Sequence, residues 1–308
     1  MPETAGGITA AGAAMRSSAV SPSPAPSGAN TAVATVRRPT RLRWVLRFVV
    51  VSYLFLLVIW PVALVAQATF ARGIAPVIAA LRQPDVIFAF ELTLSVAFWA
   101  VVLNTVFGVG ISLLLVRYTF PGRRVLNALV DLPLSVSPIV VGLALLLVYG
   151  GRTGWLGRTL ESAGLQVIYA PPGIILATAF VSLPLVIREI VPVLHEIGTE
   201  QEQAARSLGA SGLQTFVRIT LPAIRWALLY GVVLSLARSL GEFGAVKIVS
   251  GGVAMRTQTA TLLVEERYQQ FGLDNATAAY TAAFILALIA VIALVVVTSL
   301  RPDKESAR

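Results

Sequence analysis

Two ionisable residues interrupt an otherwise apolar run, Arg238 and, four positions on, Glu242, within Ala237-Arg-Ser-Leu-Gly-Glu-Phe-Gly244. On a helix that spacing puts both on one face. A charge inside a bilayer costs several kcal/mol unless it is paired or hydrated. The two residues therefore read either as a self-neutralising pair that fixes helix packing or as part of a translocation path or gate. Ser239 adds a hydroxyl beside them. Ser135 and Ser137 lie between Pro133 and Pro138, where the freed backbone groups of an interrupted helix need hydroxyls or a water-lined cavity.

Other chemistries are poorly supplied. The chain has no cysteine and one histidine, His195, which excludes disulfides and thiolate or histidine-cluster metal sites. No nucleophile, base and orienting group recur together, so no enzyme is expected. A nucleotide-cradling loop needs a lysine before Ser or Thr. The only lysines are Lys247, followed by Ile248, and Lys304, followed by Glu305, so this chain cannot supply such a site and no cofactor is expected in it.

The most informative segment is the polar stretch 196–222. Thr199 followed by Glu202 matches a capping box and predicts a short helix from Thr199, with Gly209 as its stop. Ser211 followed by Gln214 repeats the signature and predicts a second short helix that runs toward Pro222. Small Ala204 and Ala205 with apolar Leu208 form a compact face suited to a groove in another protein. A helix that merely rests on lipid headgroups would carry the same face.

The elements that must hold these residues are apolar helices. Of 308 residues, 56% are hydrophobic and 13% charged, and mean hydropathy is +0.81. That composition fits a bilayer better than a water-soluble core. Stretches of about 20 residues, enough to cross the hydrocarbon, recur at Trp44–Ala66, Leu92–Val116, Val125–Tyr149, Pro172–Leu194, Pro222–Val246 and Thr277–Ser299. The expected fold class is all-α, a polytopic membrane helix bundle of about six transmembrane helices.

The net charge of +9 comes from arginines set between apolar runs, which reads as topology signal and not as a nucleic-acid surface. Placing both termini in the cytoplasm gathers Arg37, Arg38, Arg41, Arg43, Arg47, Arg117, Arg123, Arg124, Arg188, Arg206, Arg218 and Arg225 on that side. Residues 1–36, rich in Ala, Ser, Gly, Pro and Thr, read as a disordered cytoplasmic tail and not as a cleaved signal; 37–300 form the membrane domain, and 301–308 a cytoplasmic tail.

The stretch 196–222 resembles the cytoplasmic EAA loop of ABC importer permeases: Gln203, Ala204, Ala205, Gly209, Ile219, Leu221 and Pro222 stand at its motif positions. Gln203 departs from the glutamate usual there, with Glu202 immediately before it. Asp131-Leu-Pro-Leu-Ser-Val-Ser-Pro-Ile-Val-Val-Gly-Leu143, the run from Ala237 to Gly251 and Thr257-Gln-Thr-Ala-Thr-Leu-Leu-Val-Glu265 resemble sulfate and thiosulfate importer permeases, in particular the W-type subunit. The Gly-Glu-Phe-Gly core also occurs in molybdate permeases.

The resemblance implies a type I ABC importer permease fold in the bacterial plasma (inner) membrane. It implies that the loop is a coupling helix seated in an ATPase subunit and moved by it as a rigid body. Further implied partners are two copies of that ATPase, a second related T-type permease and an extracytoplasmic sulfate-binding protein, with lipid around the bundle. A molybdate or tungstate permease is one alternative. An ion-coupled secondary transporter is another, and it predicts internal repeats that this chain does not show.

Overall fold

The computed structural model describes residues 40–151 and 154–300, so both expected tails, 1–36 and 301–308, lie outside the described residues. Contacts divide the chain after Ser52. Of the first unit the described part is residues 40–52, helical, with every side chain from 43 to 52 exposed.

Among the described residues all regular structure is helical. The helices are α1 (Thr40–Leu54), α2 (Trp60–Phe70), α3 (Ile74–Leu81), α4 (Pro84–Arg117), α5 (Arg123–Ser135), α6 (Pro138–Tyr149) and α7 (Gly157–Ser162). They continue with α8 (Pro171–Glu196), α9 (Glu200–Ser207), α10 (Gly212–Thr215), α11 (Leu221–Leu240), α12 (Gly244–Ser250), α13 (Ala260–Gln269) and α14 (Leu273–Leu300). Prolines start α4, α6 and α8, at the first turn, where a missing N–H costs nothing.

Five helical stretches are long and apolar enough to cross a membrane: Arg43–Phe70, Pro84–Arg117, Pro171–Glu196, Gly212–Leu240 and Leu273–Val297. Two of them contain a π-helical turn, Phe55–Ile59 and Phe216–Thr220, each ending just ahead of a proline, Pro61 or Pro222. In each the N–H before the proline reaches back five residues, Trp60 to the Phe55 carbonyl and Leu221 to that of Phe216. The wider turn lets the helix pass a residue that has no N–H of its own and would crowd a regular turn.

Two expected spans need correction. Val125–Tyr149 is not one straight helix. It divides into α5 and α6, which meet at 116°. Ser137 precedes Pro138 and is therefore held extended, and Val136 is extended as well, so the helix cannot run through. α5 starts beside the end of α4 and packs Val130 against Leu115 and Ile187. α6 packs Val141 and Tyr149 against Leu92, Val96 and Ile174, in the opposite halves of α4 and α8. Counted as one crossing, the broken pair brings the total to six. Pro222–Val246 likewise ends early, at Leu240. Gly241 caps α11 and a new short helix, α12, starts at Gly244.

At the centre of the body α4, α8 and α11 pack on one another. Gly108 and Gly231 both face Val186, and a Cβ on Gly231 would come 3.0 Å from the Val186 Cα. Small residues permit that approach, which in lipid is the main source of helix affinity. The α13 end is pinned by Arg267, which pairs with Asp85 and donates to Asn275 Oδ1 at 2.8 Å and Gln83 Oε1 at 3.2 Å. The Ala260 N–H donates to Thr93 Oγ1 at 2.8 Å.

Candidate functional site

α8 ends at Glu196, and Gly198, at φ +63°, turns the chain into α9. The expected capping box at its start is absent. Thr199 has φ −117° and ψ −2°, outside the extended region an N-cap adopts, and its side chain caps nothing. Its hydroxyl accepts from Gln203 Nε2 at 3.0 Å.

Glu202 turns inward and is only 7% exposed. Its Oε1 accepts from Arg117 Nε at 3.2 Å, Arg117 Nη2 at 3.1 Å and Thr220 Oγ1 at 2.9 Å. Arg117 also donates from Nη1 to the Leu194 carbonyl at 3.0 Å. A buried carboxylate gains more from a guanidinium and a hydroxyl than from one backbone N–H, and this accounts for the lost capping box.

The far end of α9 follows expectation. Gly209 sits at φ +86°; its N–H donates to Arg206 O at 3.0 Å and that of Ala210 to Ala205 O at 3.0 Å. These are the two bonds of a Schellman stop. The capping box at Ser211 is present too, with Ser211 N donating to Gln214 Oε1 at 2.9 Å and Gln214 N to Ser211 Oγ at 3.3 Å. The helix it opens is not a separate short one, however. α10 runs through the π-helical turn into α11, and Ile219, Leu221 and Pro222 lie within one continuous helix of 29 residues, Gly212–Leu240.

With Glu202 turned in, α9 presents Gln203, Ala204 and Leu208 outward, and Ala205 is half-buried. Leu208 is 89% exposed. Beside α9 opens a cavity of about 400 Å³ lined by Arg117, Glu202, Gln203, Arg206, Phe216 and Thr220.

A second polar group lies midway along α4 and α8 and in the last turns of α11. Asn104 Nδ2 donates to Ser182 Oγ at 2.8 Å and to Ser235 Oγ at 3.1 Å, while the Ser182 and Ser239 hydroxyls are 3.2 Å apart. All four are buried. This cluster joins α4, α8 and α11 and encloses Ser239. Sequence reading singled out Ser239 and missed Asn104 and Ser182. A lone amide in a long apolar helix is a signal by itself, because it demands a partner there.

Arg238 and Glu242 do meet, at 2.7 Å between Nη1 and Oε2, but across the end of α11 instead of along one helix. The Glu242 side chain is 2% exposed and that of Arg238 39%. Glu242 Oε1 accepts from the Ala245 N–H at 3.0 Å and so holds the start of α12. Its Oε2 faces the guanidinium without hydrogen-bond alignment. Ser135 and Ser137 are both exposed at the α5–α6 break. Ser135 makes only a 3.5 Å contact to Asp131 O, and the Ser137 side chain does not cap α6. Asp131 instead pairs with Arg188 at 2.6 Å and ties α5 to α8. Among the described residues no His, Cys, Asp and Glu cluster could hold a metal.

Residues 104–305 match the family of binding-protein-dependent transport system inner membrane components, and the chain belongs to that family. It is 49% identical to the sulfate transport system permease protein CysW of Synechococcus elongatus, over 79% of this chain and 84% of that one. Against the sulfate transport system permease protein CysT of Salmonella typhimurium it is 42% identical, over 67% of this chain and 74% of that one. Its fold matches a solved chain of a bacterial ABC transporter that imports the acidic polysaccharide alginate. That match has a TM-score of 0.69 at 17% identity and covers 84% of this chain and 94% of that one.

Proposed function

We propose that this chain is the W-type permease subunit of an ABC importer and carries sulfate or thiosulfate across the bacterial inner membrane. The observation that supports the motor connection best is α9. It is a short helix, closed at its C-terminal end by the Gly209 stop, that holds an 89% exposed leucine away from the bundle. An apolar side chain so placed is suited to a partner's groove. The substrate class rests on the similarity to CysW.

In this reading Ala204, Ala205, Leu208 and Gly209 seat in one of two ATPase subunits, which bind ATP and Mg, while Gln203 makes a neutral contact where an ion pair is usual. Ile219, Leu221 and Pro222 join that helix to the bundle. The second permease is a CysT-like chain, and an extracytoplasmic sulfate-binding protein delivers the anion. Both termini face the cytoplasm. Half-exposed Arg238, backed by Glu242, stands beside the path.

The test is reconstitution of the chain with its ATPase, partner permease and receptor in proteoliposomes, with labelled sulfate and molybdate supplied in parallel. ATP-dependent sulfate uptake that exceeds molybdate uptake by at least tenfold is expected. Uptake driven by an ion gradient without ATP, or a preference for molybdate, rejects the assignment.

A further inference from the structure

Three helices, α4, α8 and α11, share the Asn104–Ser182–Ser235–Ser239 cluster, midway along α4 and α8 and in the last turns of α11. The same three meet a second time at the α9 end, through Arg117 at the end of α4, the Leu194 carbonyl of α8 and Thr220 at the root of α11. Glu202 is the one α9 residue bonded to this junction through its side chain, and a single oxygen, Oε1, receives all three donors. Both side chains of the Arg117–Glu202 pair are 10% exposed. Removed from water, such a pair resists separation, because breaking it strands a buried charge.

We infer that Glu202 is the positioning residue that binds α9 to the α4–α8–α11 block, so that displacement of α9 moves the block instead of bending the loop. The outward positions Gln203, Ala204 and Leu208 meet the partner, and Glu202 carries the load inward. It therefore does not stand in for the glutamate that Gln203 replaces, since its carboxylate faces away from any docked surface. This inference rests on the proposed coupling role of α9.

Glu202→Gln keeps the shape and the acceptor for Thr220 but removes the charge that holds Arg117. In the complete complex in proteoliposomes, ATP hydrolysed per sulfate imported should rise at least fivefold while the ATPase still co-purifies. Arg117→Glu with Glu202→Arg should bring the ratio back to within twofold of the parent. An unchanged ratio in Glu202→Gln, or loss of the ATPase from the complex, overturns the inference.

A second measurement does not depend on transport. Because the chain has no cysteine, spin labels at Ser207→Cys and Leu114→Cys report only the distance between α9 and α4. In the complex in nanodiscs that distribution should widen about twofold on Glu202→Gln, and equal widths overturn the inference even where the transport reading stands. A parent complex that imports no sulfate rejects the function and leaves the spin-label result to decide the clamp.

Discussion

At the scale of single residues, the Arg238–Glu242 pair is asymmetric. The carboxylate is almost fully enclosed while the guanidinium keeps much of its surface open. Removing the arginine leaves a buried unpaired charge, at a cost on the order of 3–5 kcal/mol. Removing the glutamate leaves a cation that is already partly exposed. Arg238→Ala should therefore lower membrane-inserted protein and uptake severalfold and Glu242→Ala less, and the double variant should recover part of the Arg238→Ala loss. Quantitative immunoblotting with uptake assays measures all three; independent, additive losses reject the pairing. The pair itself was legible from the four-residue spacing. That Glu242 also holds the start of α12 was not, because the break at Gly241 arises from packing of α12 on α6 and α8.

Among elements, α9 shows where local signals suffice and where they do not. Gly209 and the Ser211 box were readable because their partners lie within five residues. The Thr199 box failed because Glu202 has a stronger partner, Arg117, 85 positions away in sequence. No window of sequence contains that competition. The same limit applies to the third span: two prolines marked an interruption, but only the packing of α6 against α12 and the first half of α8 turns it into a 116° break. Space around a Cβ at Gly209 is open, so substitution there acts through its positive φ. Gly209→Leu should cost about 1–2 kcal/mol locally. It should reduce ATP-driven uptake at least tenfold with normal membrane levels in fractionation; uptake like the parent's rejects the docking role.

For the whole molecule, hydropathy located six apolar stretches, of which Val125–Tyr149, expected as one span, is a bent pair of helices. The arginine bias assigned their direction. Single cysteines introduced at Leu208 and at Trp155 test that direction without interference from native thiols. In right-side-out vesicles an impermeant maleimide should label Trp155→Cys and spare Leu208→Cys, and the reverse pattern inverts the topology. The π-helical turn at Phe216–Thr220 has a consequence for how far motion carries. By widening a turn instead of kinking at Pro222, it keeps Gly212–Leu240 a single shaft of 29 residues. Such a shaft is about 43 Å long, so a tilt of roughly 5° about its Gly212 end sweeps the Ser239 end sideways by nearly 4 Å, more than the diameter of a water molecule. In the proposed docking of α9, a small tilt at the Gly212 end is thus enlarged into a displacement of several ångströms at the far end of the shaft.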